Sequence, residues 1–274
     1  MSRHTRCEKQ RKRKDIILKK ILAAFCAALT LTMSGCVQTE QTTYNVLGEY
    51  DFTTMELVQL EGPKDGDTIA IFDTSKGEIR TVLYPEYAPN TVERFIEKAE
   101  AGYYNGLDVA GIMSNMYFLS GYTKDAEGNY IARESDDELI DNECNVNLWP
   151  FKGALLTFSE QPGYSDARWF ICNTDEETLT QEAIDELKAS AMEYEDEAAR
   201  ENLLYLFDKF YEIGGVFGAG GTYTVFGQTY VGYDVIENIC AIPTDEDGIP
   251  QQEVKINSVT ISVYSSDEAS ADAE

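Results

Sequence analysis

The chain has 274 residues, 43% of them hydrophobic, which is enough for one domain of about 200 residues with additional segments. Its formal charge at pH 7 is −27, and the charge is uneven: residues 1–35 carry nine Lys or Arg, whereas the rest carry 13 Lys or Arg against 47 Asp or Glu. Because nucleic acids and anionic lipids attract positive charge, this acidity argues against both as partners.

The N-terminus has the pattern of a bacterial export signal. Basic residues precede an apolar run of 13 residues, Ile21–Met33, which is short for a membrane span and typical of a signal peptide. The run ends in Met33-Ser34-Gly35-Cys36, which resembles a lipobox. The resemblance implies cleavage before Cys36, acylation of its sulfur and anchoring on the outer face of the cell membrane. An ordinary secretory signal or an uncleaved anchor is the alternative.

The histidine and cysteine content excludes several kinds of active site. The single histidine, His4, lies in the predicted signal peptide (residues 1–35), so the mature chain has none. This excludes Ser-His-Asp and Cys-His catalysis and histidine-ligated metals. No Cys-x-x-Cys pair is present, which makes a zinc or thiol-redox site improbable. We therefore expect no metal and no cofactor.

Residues 36–66 are predicted to be a tether and lead-in, and the compact domain is predicted to span residues 67–264. It opens with a strand hairpin, Thr68–Asp73 and Glu78–Tyr84, followed by a helix from Pro89 to Ala101. Asn90 or Thr91 is expected to cap this helix.

Further short strands, a loop and a second helix follow. Strands are predicted at Val109–Met113, Met116–Ser120, Gly153–Phe158, Arg168–Cys172, Thr222–Thr229 and Glu253–Val263, a polar loop at 125–147, and a helix at Val231–Ile239. Residues 178–213 form an acidic helical insertion with a break near Tyr194, 214–221 a flexible glycine-rich loop, and 265–274 an acidic tail. Many short strands with two helices predict a closed antiparallel β-barrel.

Several blocks resemble the cyclophilin-type peptidyl-prolyl cis-trans isomerases. The hairpin, the helix opened by Ala88-Pro-Asn-Thr-Val92 and the turn Gly102-Tyr-Tyr-Asn-Gly106 resemble the front half of that family. Later blocks are Gly153-Ala-Leu-Leu156, Trp169-Phe-Ile171, Val225-Phe-Gly-Gln228 and Asp234–Ile239, so the resemblance covers residues 67–263. It implies a mainly β fold, a closed eight-stranded antiparallel barrel capped by two helices.

The resemblance also implies an activity, rotation about X-Pro bonds of polypeptides without a cofactor. Amide resonance sets a barrier of about 18–20 kcal/mol, which a catalyst lowers by gripping the proline ring and aiming a cationic donor at its nitrogen. The family's catalytic arginine falls on Gly111 and its backbone-binding glutamine on Leu119. The implied substrate-binding residues are Met116, Tyr117, Phe170, Ala219 and Tyr223. The alternative is that these side chains only pack in the core.

Arg168 is the candidate for a replacement cation, because it stands where the family has a neutral amide. Its guanidinium is predicted to project into the proline slot and act as the catalytic group. The competing interpretation is an arginine at the edge of the core, paired with one of the many carboxylates.

The sequence thus predicts a monomeric, lipid-anchored member of this family, which assists folding of secreted proteins with weakened or lost catalysis. A non-catalytic protein-binding or chaperone module is the alternative, and a purely structural surface lipoprotein is a third possibility.

Overall fold

The computed structural model describes residues 50–113, 115–134, 138–174 and 179–267. The predicted signal peptide, the lipidation site Cys36 and residues 268–274 of the acidic tail lie outside the described residues.

The main sheet closes into a barrel. Its strand order is β3-β11-β1-β2-β10-β7-β9-β4, and β4 pairs back with β3, so eight strands form a ring. Every pairing in it is antiparallel, which confirms the predicted fold class. The strands are β1 Thr68–Thr74, β2 Gly77–Leu83, β3 Leu107–Met113, β4 Tyr117–Lys124, β5 Tyr130–Ala132, β6 Ile140–Asp141, β7 Ala154–Phe158, β8 Tyr164–Ser165, β9 Arg168–Cys172, β10 Val225–Val231 and β11 Lys255–Val263.

Three short strands lie outside the ring. β5 pairs with the outer end of β4, and β6 pairs with β8 as a separate ribbon. Two of the three, β5 and β6, lie within residues 125–147, where the sequence predicted only a polar loop.

Two helices pack against the barrel, α1 (Pro89–Glu100) and α4 (Tyr233–Cys240). Each buries one apolar face, which follows from the i, i+3, i+4 spacing of its hydrophobic residues. Together with the inward side chains of the strands they form the inner core, in which Trp169 contacts Phe72 with ring centroids 5.0 Å apart.

The helical insertion is present as two helices, α2 (Gln181–Ala191) and α3 (Glu197–Ile213). The side chains of Thr180 and Asp196 cap them by accepting hydrogen bonds from the first-turn amides. Their apolar faces build an outer core outside the barrel, together with the outward side chains of β7 and β9. Both faces of β7 and β9 are therefore buried, which explains their continuous apolar sequences.

Residues 50–60, which the sequence placed in the lead-in before the domain, belong to the folded unit. Phe52, Met55 and Leu57 are buried in the outer core, and the Gln59 side chain is 4% exposed. The apolar residues of this segment supply the burial that holds it on the domain.

Within the described part of the chain, none of the helices has both the length and the apolar composition required to cross a membrane.

Candidate functional site

The strand register aligns the residues to which the resemblance assigned catalysis and substrate binding. Gly111 on β3 lies opposite Leu119 on β4, and Leu119 lies opposite Phe170 on β9. The next strand continues this row with Leu156. Neighbouring strands are about 4.8 Å apart, so Gly111 is roughly 10 Å from Phe170 across the sheet. Leu119, Phe170 and Leu156 belong to the outer core, so the row faces away from the barrel interior.

Four aromatic side chains meet on this outer face, and we call them the aromatic cluster: Tyr117, Phe158, Phe170 and Tyr223. The ring centroid of Phe170 is 5.2 Å from that of Tyr117 and 5.3 Å from that of Tyr223. Tyr223 in turn stacks on Phe158 at 6.1 Å. Contacts of this geometry stabilise an aromatic pair beyond the burial of its area.

Phe170 is the buried member of the aromatic cluster, and the other three rings are partly exposed. Phe170 is 1% exposed, and Met116 and Ala219 of the predicted substrate-binding set are buried in the same outer core. Tyr117 and Tyr223 keep part of their surface in solvent. The structure thus brings the five predicted substrate-binding residues into one outer core, with the ring of Phe170 covered.

Gly111 is the position on which the resemblance places the family's catalytic arginine. A Cβ atom built at this position would have the Cβ of Leu119 as its nearest neighbour, at 3.9 Å, which is ordinary van der Waals contact. The backbone of Gly111 is outside the left-handed region, so a Cβ atom there adds no backbone strain.

Arg168 is held by carboxylates at the edge of the aromatic cluster. Its Nη2 donates to Asp166 Oδ2 at 2.6 Å, its Nη1 donates to Glu160 Oε1 at 2.9 Å, and Nη1 also donates to the hydroxyl of Tyr122 at 2.9 Å. The guanidinium lies over the ring of Phe158, 4.9 Å from the centroid. This geometry matches the competing interpretation, in which Arg168 is an ion-paired arginine at the core edge.

The electrostatics of these groups keep Arg168 charged and the tyrosines neutral. Burial lowers the pKa of Arg168, but Asp166, Tyr122 and Glu160 together raise it by more, so the pKa lies above its usual range. Burial raises the pKa of Tyr117, and it also raises that of Tyr122 in spite of the neighbouring Arg168. At neutral pH the aromatic cluster is therefore an apolar, uncharged surface with one compensated cation at its edge.

The segment that borders the aromatic cluster on the other side, residues 214–223, is named the wall segment. The sequence predicted a flexible glycine-rich loop here, and that prediction is wrong for its centre, because Phe217–Ala219 forms a buried helical turn. The ring of Phe217 stacks on Trp149 at 6.0 Å with an interplanar angle of 5°.

Sequence reasoning missed Trp149 and Tyr122 as parts of this region. Tyr122 lies two strand positions beyond Ser120 on β4, where the sequence expected the strand to have ended. Trp149 lies in a connecting segment before β7, and its aromatic partners lie more than 60 residues further along the chain or more than 95 earlier. Local pattern carries no signal for such contacts.

Comparisons with known proteins agree with the resemblance. The family model described as "Cyclophilin type peptidyl-prolyl cis-trans isomerase/CLD" matches residues 69–261. A protein of Staphylococcus aureus (strain USA300) named "Putative peptidyl-prolyl cis-trans isomerase" is 25% identical over 199 residues, which are 72% of this chain and 93% of that protein. A protein of the same name from Staphylococcus saprophyticus is 27% identical over 205 residues, 74% of this chain and 96% of that protein.

Among solved structures, a cyclophilin-type peptidyl-prolyl cis-trans isomerase from Cryptosporidium parvum is similar with a TM-score of 0.49 and 14% identity. The match covers 73% of this chain and 99% of that protein.

Proposed function

The chain belongs to the cyclophilin-type peptidyl-prolyl cis-trans isomerase family, and we propose that it is a lipid-anchored folding factor outside the cytoplasmic membrane. Its substrates are proline-containing segments of secreted polypeptides. Its isomerase activity is low, because the cation that weakens the X-Pro bond is absent from the position that faces the aromatic cluster.

One observation supports the proposal of low isomerase activity. The outward row that leads to Phe170 begins at Gly111, which has no side chain, while Arg168 donates hydrogen bonds to Asp166 and Glu160. A guanidinium bound to two carboxylates is compensated in charge and held in place, so it is poorly suited to stabilise a developing lone pair on a proline nitrogen.

The residues that remain can bind and orient a substrate. Apolar rings provide a surface for a proline ring, and burying that ring is favourable at about 25 cal/mol per Å² of apolar area. Tyr117 and Tyr223 both contact Phe170 and both are partly exposed, so one of these two rings has to move aside before a proline reaches Phe170. Binding without the cation stabilises the cis, trans and twisted forms alike, and uniform binding of this kind does not accelerate the rotation.

The test is an exchange or protease-coupled assay on a short X-Pro peptide with the wild-type protein and the Gly111→Arg variant. We expect the isomerisation rate with the wild-type protein to be close to the uncatalysed rate. Gly111→Arg should raise kcat/KM by about 10²-fold or more, the usual effect of one oriented donor at a developing charge.

Gly111→Gln is the matched control, since it adds a long polar side chain without charge, and it should leave the rate near that of the wild type. Efficient catalysis by the wild-type protein would overturn the proposal of low activity. An inactive Gly111→Arg that folds normally and binds the peptide would show that more than the cation is missing.

The second candidate function is a non-catalytic module that binds polypeptides. The burial of Phe170 favours it, because the ring expected to grip proline during turnover is covered, while Tyr117, Phe158 and Tyr223 still expose apolar surface that a peptide can contact. In this case peptides bind to the wild type and to Gly111→Arg with similar affinity, and neither protein accelerates isomerisation.

A further inference from the structure

Residues 50–60 form a strap that lies between the helical insertion and the segment before β7. Phe52 is 1% exposed and stacks on Trp149 with ring centroids 6.2 Å apart, and it also makes edge contacts with Tyr194 and Tyr50, each at 6.1 Å. The Asn202 side chain of α3 donates a hydrogen bond to the Phe52 carbonyl at 2.7 Å. The strap is therefore bound on one side by the insertion and on the other by Trp149.

A second residue of the strap pins the backbone of Trp149. The buried Gln59 accepts a hydrogen bond from the Trp149 amide at 2.6 Å and donates one to the Trp149 carbonyl at 2.8 Å. The remaining donor of Gln59 reaches Gln228 Oε1 at 2.9 Å. A fully paired, buried amide of this kind specifies one position for its partners, because leaving those partners unpaired is costly.

Trp149 contacts both the strap and the wall segment. Its ring lies parallel to that of Phe217, and a Cβ built at Gly220 would come within 2.9 Å of it. The wall segment continues through Ala219, whose carbonyl accepts from the amide of Tyr223 at 3.4 Å. Tyr223 contacts the ring of Phe170. Packed rings from Phe52 through Trp149 to Phe217, and then the backbone of residues 217–223, thus join the strap to the candidate site.

We infer that the strap is a positioning element for the wall of the candidate site, with Phe52 and Gln59 acting through Trp149. The helical insertion serves this arrangement by holding the strap from the opposite side. Release of the strap removes one face of the Trp149 stack and both backbone hydrogen bonds, so the wall segment loses its support while the barrel keeps its own core. The inference holds for a catalyst and for a binding module alike.

Amide hydrogen exchange on the full chain tests this inference without a substrate, so its outcome is independent of the proposed function. In Gln59→Leu and in Phe52→Ala, we expect protection across residues 214–223 to fall about tenfold or more, while β1 and β11 change by no more than about twofold. Phe52→Leu, which keeps apolar volume and loses the stack, is the milder variant if Phe52→Ala fails to fold.

Two controls separate this role from a merely structural one. Leu60→Ala changes an exposed residue at the end of the strap and should leave protection of the wall segment unchanged. Val92→Ala, in the inner core, should reduce stability without a selective effect on residues 214–223. Uniform loss of protection in the strap variants, no loss, or the same selective pattern in Val92→Ala would each overturn the inference.

Tryptophan fluorescence gives a second readout, because the chain has two tryptophans. In a Trp169→Phe background the emission comes from Trp149 alone. Adding Gln59→Leu should shift that emission to longer wavelength as water reaches the ring, and an unchanged spectrum in the folded variant would contradict the inference.

Discussion

Arg168 shows how one side chain can be charged and still be poorly placed for catalysis. Its side chain is 9% exposed, and it donates to carboxylates on both sides of the turn that precedes β9. Its guanidinium also lies over the ring of Phe158. The residue therefore links the edge of the aromatic cluster to the loop 159–167.

Replacing Arg168 should affect stability more than catalysis. In Arg168→Ala, Asp166 and the hydroxyl of Tyr122 lose a buried partner, whereas Glu160, with 61% of its side chain exposed, returns to solvent. We expect the free energy of unfolding in urea to fall by about 2 kcal/mol, below the range for fully buried pairs. The rate of X-Pro exchange should not change.

Arg168→Met is the matched variant, because it keeps the apolar stem over Phe158 and removes the charge. It should recover part of the lost stability. If Arg168→Ala instead slowed isomerisation while its unfolding curve stayed that of the wild type, Arg168 would be the catalytic cation.

The N-terminus of helix α1 is capped by a residue from a distant segment of the chain. Its N-cap residue, Ala88, has no side-chain acceptor, and the helix starts at Pro89. The acceptor comes from a segment more than 50 residues away: Glu143 accepts from the amide of Asn90 at 3.1 Å and from that of Thr91 at 2.8 Å. A carboxylate here pairs unsatisfied amides and complements the helix dipole.

Stability should depend on the ionisation of Glu143. Burial raises the pKa of Glu143, but the hydrogen bonds from Thr91 and Asn90 together lower it by a larger amount. The pKa in the folded protein therefore lies below the ordinary 4.5. A depressed carboxylate pKa contributes stability that is complete above 4.5 and is lost as the pH falls through the folded value. Glu143→Gln should therefore cost about 1 kcal/mol at pH 7.

Urea unfolding at several pH values measures this effect. The difference between wild type and Glu143→Gln should shrink as the pH falls below 4.5, because the wild-type carboxyl then becomes neutral as well. A difference that stays constant down to the acid limit would mean that the charge of Glu143 contributes nothing to the cap.

The cap also marks a limit of sequence reasoning about elements. The position and type of α1 follow from its Pro and its apolar spacing, and the helix was predicted within one residue of its end. Asn90 and Thr91 were expected to supply the cap, yet both donate to Glu143 from inside the helix. The donor and the acceptor meet only because β6 and the following segment fold over the start of α1.

At the scale of the whole molecule, the strap places the start of the folded unit well before β1. The described chain begins at Tyr50, beside Trp149, with ring centroids 5.9 Å apart. The proposed lipid on Cys36 lies 14 residues before Tyr50 in the chain. A chain of this length reaches at most about 50 Å when fully extended.

Removing the lipid should release the protein without unfolding it. In the proposed anchor, acyl chains contribute about 0.8 kcal/mol for each buried methylene group. We expect the wild type in the membrane fraction of its host, and Cys36→Ser with its signal peptide removed in the soluble fraction, with identical thermal unfolding of the domain. Cys144→Ser is the control and should stay with the membrane. Membrane retention of Cys36→Ser, in protein whose mass shows that residues 1–35 have been cleaved off, would refute lipidation at this residue.

The sequence by itself determined the barrel, because strand and helix periodicity and the order of the family blocks are properties of neighbouring residues. It also determined that Gly111 cannot supply a cation, since a missing side chain needs no structure to be recognised. Only the tertiary structure decided that the ring of Phe170 is covered, that Arg168 is compensated by Asp166 and Glu160, and that the strap packs against Trp149. Those outcomes depend on which distant segment covers a given face, and burial between segments 50 to 170 residues apart leaves no periodic trace in the chain.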